Sequence, residues 1–299
     1  MSVVDRPVVE RKLEELGLQL SPKVVYRLET VFPFRKGKLS NGTVRTRVKL
    51  AQALEPLLQE MLFDQEVVQF FCNGKQSASS RTWILGFLGE ENIKLRVVLV
   101  LTNLRVLCIL MESGGRAPAR TFWSIYYSQI DRMKTSFTDE VKLELTDGQT
   151  LSYYEFSREE ILALKRVMLE MTARFEESGF DPPVQQSWER LCGNCYHVVP
   201  SKEYECEHCR ALFWQPGEIA LRSFVFPPWG TYVLGHYGVA LWEMLVFCLL
   251  LVYDIAVIRN GDFSGPLLLL LIGNVFAALY TSQSATKGLY LKEGVEKRV

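Results

Sequence analysis

Two apolar runs near the C-terminus constrain this chain more than any other feature. Residues 238–258 read GVALWEMLVFCLLLVYDIAVI, 21 residues with two acids, each near an end. At about 1.5 Å per residue, that length just covers a hydrocarbon core of about 30 Å. Residues 266–280 read PLLLLLIGNVFAALY and extend to about Gln283 with tolerable polar ends. The connector, residues 259–265 (RNGDFSG), consists of turn formers and is too short for anything but an antiparallel return. The expectation is a transmembrane α-helical hairpin within a C-terminal segment 217–299, with the rest of the chain in the cytosol. The competing reading is a core hairpin of a soluble protein. Five consecutive leucines beside a 21-residue apolar run would be unusual in such a core.

Orientation follows the excess of Lys and Arg on the cytoplasmic side. Arg210 and Arg222 precede the first run, Lys287, Lys292, Lys297 and Arg298 follow the second, and the turn holds only Arg259. Both termini are therefore expected to be cytoplasmic, in a multi-pass plasma-membrane protein. Glu243 and Asp254 are 11 residues apart, three helical turns, so they share a face. They either reach headgroup water or, with Asn274 near mid-membrane, form an intramembrane contact to a partner. Gly273 and Ala277 are a small-xxx-small pair that weakly supports helix packing. Ahead of the first run, Trp229, Tyr232 and Tyr237 suit the headgroup zone, and residues 218–226 suit a short interfacial helix. The stretch FPPWGTYVLGHYGVALWEML resembles the opening of two-span hairpin modules of the TM2 type, although Pro228-Trp229-Gly230 stands where those modules carry Pro-Gly-x-Gly. That resemblance implies anchoring or assembly, with no chemistry.

Lys+Arg and Asp+Glu are equal, 34 each, so net charge names no partner. The N-terminal stretch MSVVDRPVVERKLEEL is charged and lacks the apolar core of a cleavable signal. Of seven cysteines, Cys192, Cys195, Cys206 and Cys209 form two CxxC knuckles, while Cys72, Cys108 and Cys248 are scattered in apolar runs. Two knuckles ten residues apart can complete one tetrahedron of thiolates, and the span 192–216 resembles a short zinc ribbon. Soft sulfur favours zinc over calcium or magnesium. A four-thiolate site is closed, hence structural; redox disulfides or an iron–sulfur site are the alternatives. His197 and His208 flank the knuckles and are left outside the ligand set. Nucleic acid is a poor partner for the ribbon, because Glu203, Glu205 and Glu207 outnumber Lys202 and Arg210.

Residues 66–156 carry strand signals. Apolar runs at 96–101 and 106–111 flank Thr102-Asn103-Leu104-Arg105, a further strand is expected at 121–127 and another from Ile130, and residues 141–145 alternate before an Asp147-Gly148 turn and a return at 150–156. A helix follows from about Arg158 to Glu177. Ser157 is its expected cap with Glu160 three residues on, and Ile161, Leu164, Val167, Met168, Met171 and Phe175 lie on one stripe. Antiparallel strands closed by one helix, together with Asp64-Gln65-Glu66-Val67-Val68, the T-N-x-R-x-L motif at 102–107 and Trp123-Ser124-Ile125, resemble the GRAM and bacterial pleckstrin-homology (PH) branch over about 110 residues. The resemblance implies a PH/GRAM-like β-barrel over 63–178 that binds a lipid headgroup or a protein, with Arg105 a structural residue of the motif. An insert at 74–91 leaves the strand count open.

Residues 8–31 and 43–62 look helical, giving an N-terminal helical segment 1–62. Arg35, Lys36, Lys38, Arg45, Arg47 and Lys49 are basic without an acid among them between 35 and 49. They could contact anionic lipid or simply be a solvated face. Residues 179–191 are the expected linker, stiffened by Pro182-Pro183.

The expected architecture is thus multidomain α+β, with no phosphate loop, nucleophile elbow or HExxH motif to suggest an enzyme. The leading function is a non-catalytic, membrane-anchored adaptor of bacterial inner-membrane type. A subunit of a transport or envelope-assembly complex and a tethered zinc-ribbon nucleic-acid binder are the alternatives.

Overall fold

The computed structural model describes residues 5–32, 39–77, 94–112, 115, 117–136, 139–184, 186–259 and 264–292. The chain divides into two compact units, one of residues 1–77 and 92–191, the other of residues 78–91 and 192–299. Most of the sequence insert, 78–91, lies outside the described residues, as do Arg35, Lys36 and Lys38.

The first unit opens with α1 (Arg6–Glu15), α2 (Leu28–Val31) and α3 (Asn41–Met61). The helix expected at 8–31 is thus two helices with an extended stretch between them, in which Arg27 and Val25 hydrogen-bond to Val68 of the first strand. The Ser40 hydroxyl accepts the Thr43 N–H and caps α3. Seven strands follow: β1 (Val68–Ser77), β2 (Lys94–Thr102), β3 (Arg105–Met111), β4 (Pro118–Tyr126), β5 (Ile130–Thr135), β6 (Val141–Leu145) and β7 (Thr150–Tyr154). Then come α4 (Arg158–Ser178) and β8 (Glu189–Leu191). Among the described residues the strands form one antiparallel sheet in the order β5-β6-β7-β1-β2-β3-β4-β8.

That sheet is open, which corrects the expected barrel. The outer edge of β4 does not meet β5. It is taken by β8, with Phe122 opposite Leu191 and Ser124 opposite Glu189. The stretch read as a linker therefore contributes a strand.

Burial explains the sequence patterns. Every residue of β3 is buried, which is why it reads as an unbroken apolar run. In β6 buried and half-buried residues alternate along Val-Lys-Leu-Glu-Leu, the mark of one covered face. The Ser157 hydroxyl accepts the Glu160 N–H and the Glu160 carboxylate accepts the Ser157 N–H, so the first turn of α4 is capped reciprocally. The six apolar residues of its expected stripe are all buried.

The T-N-x-R motif is a structural clasp. Arg105 Nε donates to Glu66 Oε1 and Arg105 Nη2 to Glu66 Oε2, both at 3.1 Å, and Nη2 also reaches the Met61 carbonyl at 2.9 Å. Thr102 Oγ1 donates to Glu66 Oε1 at 2.7 Å, and Asn103 Oδ1 accepts the Val67 N–H at 2.8 Å. One buried ion pair thus ties the end of α3, the entry to β1 and the β2–β3 turn together.

The second unit contains the cysteine knuckles, α5 (Pro216–Val225), α6 (Pro227–Val233), α7 (Tyr237–Arg259) and α8 (Ser264–Ala285). α7 and α8 are long and apolar enough to cross a membrane, and only 6% and 11% of their apolar windows are buried. Close approach of α5, α6 and α8 requires glycine at position 230: a Cβ there would lie 1.8 Å from Ser223 Oγ and 2.8 Å from Thr281 Cγ2. Thr281 Oγ1 donates to Ser223 Oγ at 2.8 Å in the same place. The chain after α8 then returns to the ribbon. Trp214 N–H donates to the Tyr290 carbonyl, Lys292 N–H donates to the Leu212 carbonyl, and Phe213 pairs with Leu291.

Candidate metal centre

The two CxxC segments fold into copies of one structure. The Tyr196 N–H donates to the Cys192 carbonyl at 3.0 Å, and the Cys192 N–H donates to the His197 carbonyl at 2.8 Å. Fourteen positions later the same bonds recur, Arg210 to Cys206 at 2.8 Å and Cys206 to Ala211 at 2.9 Å. The residue after each knuckle takes a left-handed backbone, Tyr196 at φ 61° and Arg210 at φ 59°. That reversal turns both thiols of a knuckle to one side.

The four sulfurs meet. Cys192 Sγ lies 3.5 Å from Cys209 Sγ, Cys195 Sγ lies 3.6 Å from Cys206 Sγ, and all four lie within 4.8 Å of one another. A disulfide would need about 2.05 Å, so these are free thiols. A tetrahedral ion with sulfurs at about 2.3 Å has sulfur–sulfur edges of about 3.8 Å, close to the separations found. The arrangement fits one metal ion held by Cys192, Cys195, Cys206 and Cys209.

The electrostatics make loading depend on pH. Burial pushes the Cys192 thiol up and takes Cys195 to about 11. Burial would also raise Cys209, but hydrogen bonds from the Asn194 side chain, the Ala211 N–H and neighbouring thiols outweigh it and bring the group to about 7. Thiols held protonated in this way must give up their protons before a cation can load. The apolar floor is Val199, Ala211, Phe213 and Leu289. The rings of His197 and His208 stack with centroids 3.6 Å apart and a 13° tilt, beside the sulfurs and outside the set. The part of Leu289 was invisible in the sequence, because it lies some 80 residues past the second knuckle and beyond both apolar runs.

Comparison with known protein families and with curated proteins returns no match. Among solved structures, the chain is similar to the C-terminal domain of an unknown protein from Leishmania infantum, at 13% identity, covering 40% of this chain and 94% of that one with a TM-score of 0.27. It is similar to the N-terminal PH domain of human ARAP2 at 11% identity, with coverage of 39% and 88% and a TM-score of 0.25. It is also similar to the hSac2 domain of human phosphoinositide phosphatase Sac2 at 12% identity, with coverage of 54% and 98% and a TM-score of 0.31. At TM-scores this low the likenesses carry no argument.

The other sequence candidates fare differently. Arg45 and Lys49 are exposed, one turn apart on α3, and remain open to an anionic surface. Arg47 does not. It is 6% exposed, donates through Nη1 to the Val31 and Phe71 carbonyls at 2.8 Å each, and pairs with Glu160 at 3.2 Å. On a helix, residues two apart point to different sides, so the basic run splits between solvent and core.

Glu243 and Asp254 do share a face, as the spacing required, but that face is turned inward. Thr231 Oγ1 donates to Glu243 Oε2 at 2.5 Å, and Asp254 is 2% exposed. Asp254 is therefore enclosed by its own chain, which removes it as a contact for a partner helix. Asn274 is half-buried on α8. Cys72 and Cys108 lie in the sheet core, where burial raises both thiols, Cys108 to about 12.

Proposed function

We propose that this protein is a non-catalytic membrane adaptor. The α7–α8 hairpin anchors it, the cysteine quartet holds a structural zinc ion, and the first unit binds a lipid headgroup or a protein partner beneath the membrane. The observation that carries the reading is the surface of the hairpin. Leu241, Trp242, Leu249, Val252, Leu267 and Leu268 are each 57% or more exposed. Apolar side chains displayed at that density on two adjacent helices, each about 30 Å long, are suited to hydrocarbon rather than water.

Supporting features agree. Arg210, Arg222, Lys287 and Lys292 flank the hairpin at its open end and favour a cytosolic location for both chain ends, in a plasma membrane. Four thiolates saturate a tetrahedral zinc ion, leaving no position for substrate, so the metal's part is to hold the ribbon together. The order β5-β6-β7-β1-β2-β3-β4 with a C-terminal helix supports the PH-like reading of the first unit. Alkaline carbonate extraction tests the anchor. Retention of the full-length chain in the membrane pellet is expected, and release into the supernatant as a monodisperse species without detergent overturns it.

A further inference from the structure

The stretch ahead of the first apolar helix runs down beside the hairpin rather than across its end. Contacts between α5 and the hairpin fall in order of depth. Lys292, past the end of α8, pairs with Glu218 in the first turn of α5 at 2.8 Å. Thr281, within the last turns of α8, meets Ser223 farther along α5. Phe226, the residue after α5, packs its ring against Phe247 with centroids 5.5 Å apart and an 83° tilt. Phe247 lies close to the middle of α7, about 15 Å from its start at 1.5 Å per residue. α5 has 10 residues, which matches that depth. The return along α6 is as regular. Thr231 donates to Glu243, and the Tyr232 ring meets Tyr237 with centroids 5.3 Å apart, so the contacts climb α7 from Phe247 back to its first residue.

The turn at the bottom suits a place without water, where backbone groups must be satisfied within the protein. Phe226 alone separates α5 from α6. Its N–H donates to the Arg222 carbonyl at 2.8 Å, and its carbonyl accepts the Trp229 N–H at 3.0 Å. The next two residues, Pro227 and Pro228, have no N–H to satisfy. The Pro228 carbonyl accepts Thr231 Oγ1 at 3.0 Å. Polar side chains turn inward: Ser223, Thr231 and Thr281 are each 0% exposed and hydrogen-bonded. The outward face is apolar, with Leu221 66%, Val225 70% and Trp229 49% exposed. Both charges of α5 are drawn toward its start. Glu218 is held by Lys292, and the Arg222 guanidinium lies 4.0 Å from the centre of the Trp214 ring, which precedes the helix.

We propose that α5 and α6 form a re-entrant helical hairpin whose outward face contacts the acyl chains of the leaflet at the open end of α7 and α8. The occupant follows from depth. A surface beside the middle of a membrane-crossing helix meets whatever that helix meets, and Leu249, near Phe247 on α7, is 62% exposed at that level. The leaflet at the open end then holds four helical segments, and the opposite leaflet holds two. This deepens the anchoring part of the proposed function and rests on it. The short interfacial helix expected at 218–226 would lie among headgroups; α5 instead enters the hydrocarbon.

The test uses the full-length chain in dioleoyl phosphatidylcholine vesicles, with a photoreactive residue at one exposed position at a time: Val225→p-benzoylphenylalanine, Leu221→p-benzoylphenylalanine, and Leu249→p-benzoylphenylalanine as the hairpin's own reference. Illumination is followed by mass spectrometry of the intact chain and of the cross-linked fragment. All three variants are expected to gain the mass of one phospholipid. The Val225 adduct should sit on an acyl chain, as the Leu249 adduct does. The Leu221 adduct should sit nearer the glycerol, because that position is about 6 Å higher on α5. All three positions are exposed, so the substitutions leave the packed faces intact. Loss of the adduct at both Val225 and Leu221 while Leu249 keeps its own would overturn the re-entrant assignment and leave the anchor standing. Attachment of Val225 to the headgroup would place α5 on the surface and overturn it as well. Attachment of Val225 to a second copy of the chain would show that protein, not lipid, covers this face. Absence of an adduct at Leu249 too, with release of the chain by alkaline carbonate, would sink the anchor beneath the proposal.

Discussion

Replacing Glu66 with alanine removes both acceptors of the Arg105 fork. The two side chains are 0% and 4% exposed, so the guanidinium cannot turn to water when its partner goes. Thr102 Oγ1 and the Phe63 N–H lose an acceptor in the same change. Breaking a buried pair from one side costs about 3–5 kcal/mol, because a charge is left uncompensated. For a unit of this size, each kcal/mol lowers the melting temperature by about 2–4 °C. Glu66→Ala is therefore expected to lower the first unit's unfolding transition by roughly 10 °C, followed by tryptophan fluorescence in detergent. The double variant Glu66→Leu/Arg105→Met replaces the pair with apolar groups of similar volume and is expected to lie within about 1–2 kcal/mol of the wild type. Strong coupling between the two sites is the signature of the clasp. If Glu66→Leu and Arg105→Met each shift the transition by less than about 2 °C, or if their effects simply add in the double variant, the clasp is not what holds this junction.

Three further outcomes follow from the same structure. Arg47→Met should destabilise the first unit by about 3 kcal/mol, by stranding two carbonyls and Glu160, whereas Arg45→Gln/Lys49→Gln should stay within about 0.5 kcal/mol; paired thermal melts decide between core and surface roles. Gly230→Ala should destabilise the second unit by about 1–3 kcal/mol through overpacking, and Ser223→Gly in the same chain should recover part of the loss by removing the hydroxyl that a Cβ would strike. Cys206→Ser should lower bound zinc, measured by elemental analysis, from one ion per chain to almost none. In the wild type the metal should leave as pH falls. Loading requires deprotonated thiols, burial holds the Cys195 proton up to about pH 11, and below about pH 7 Cys209 takes up a proton as well, so zinc affinity should weaken more steeply from pH 7 to pH 5 than above pH 7. Affinity that is flat or rises on acidification would contradict a four-thiolate set.

Much of this was legible from local pattern. The CxxC spacing brought four thiols to one point, the Ser157–Glu160 box fixed the start of α4, and the period-two alternation of residues 141–145 marked a half-covered strand. What escaped was long-range. Nothing in the run from Arg35 to Lys49 marks Arg47 as interior, since its acceptors come from Val31 and Phe71 and its counter-charge from Glu160 on a different helix. The second strand pairing on β4 depends on three residues, Glu189–Leu191, too few to show a period. The inward turn of Asp254 was half-visible: the spacing placed it with Glu243, but only packing decides which way a shared face looks.

The return of residues 289–292 to the ribbon has a consequence for biogenesis. Leu289 completes the apolar floor beneath the sulfurs, yet it leaves the ribosome only after both hydrophobic helices have been made. The knuckles must therefore wait, about 80 residues of synthesis, for the segment that seals them. A product released before that point would expose thiols and an unfinished floor, features that proteolytic surveillance can recognise. Synthesis of the two apolar helices and closure of the cysteine site are in this way made parts of a single, ordered folding event.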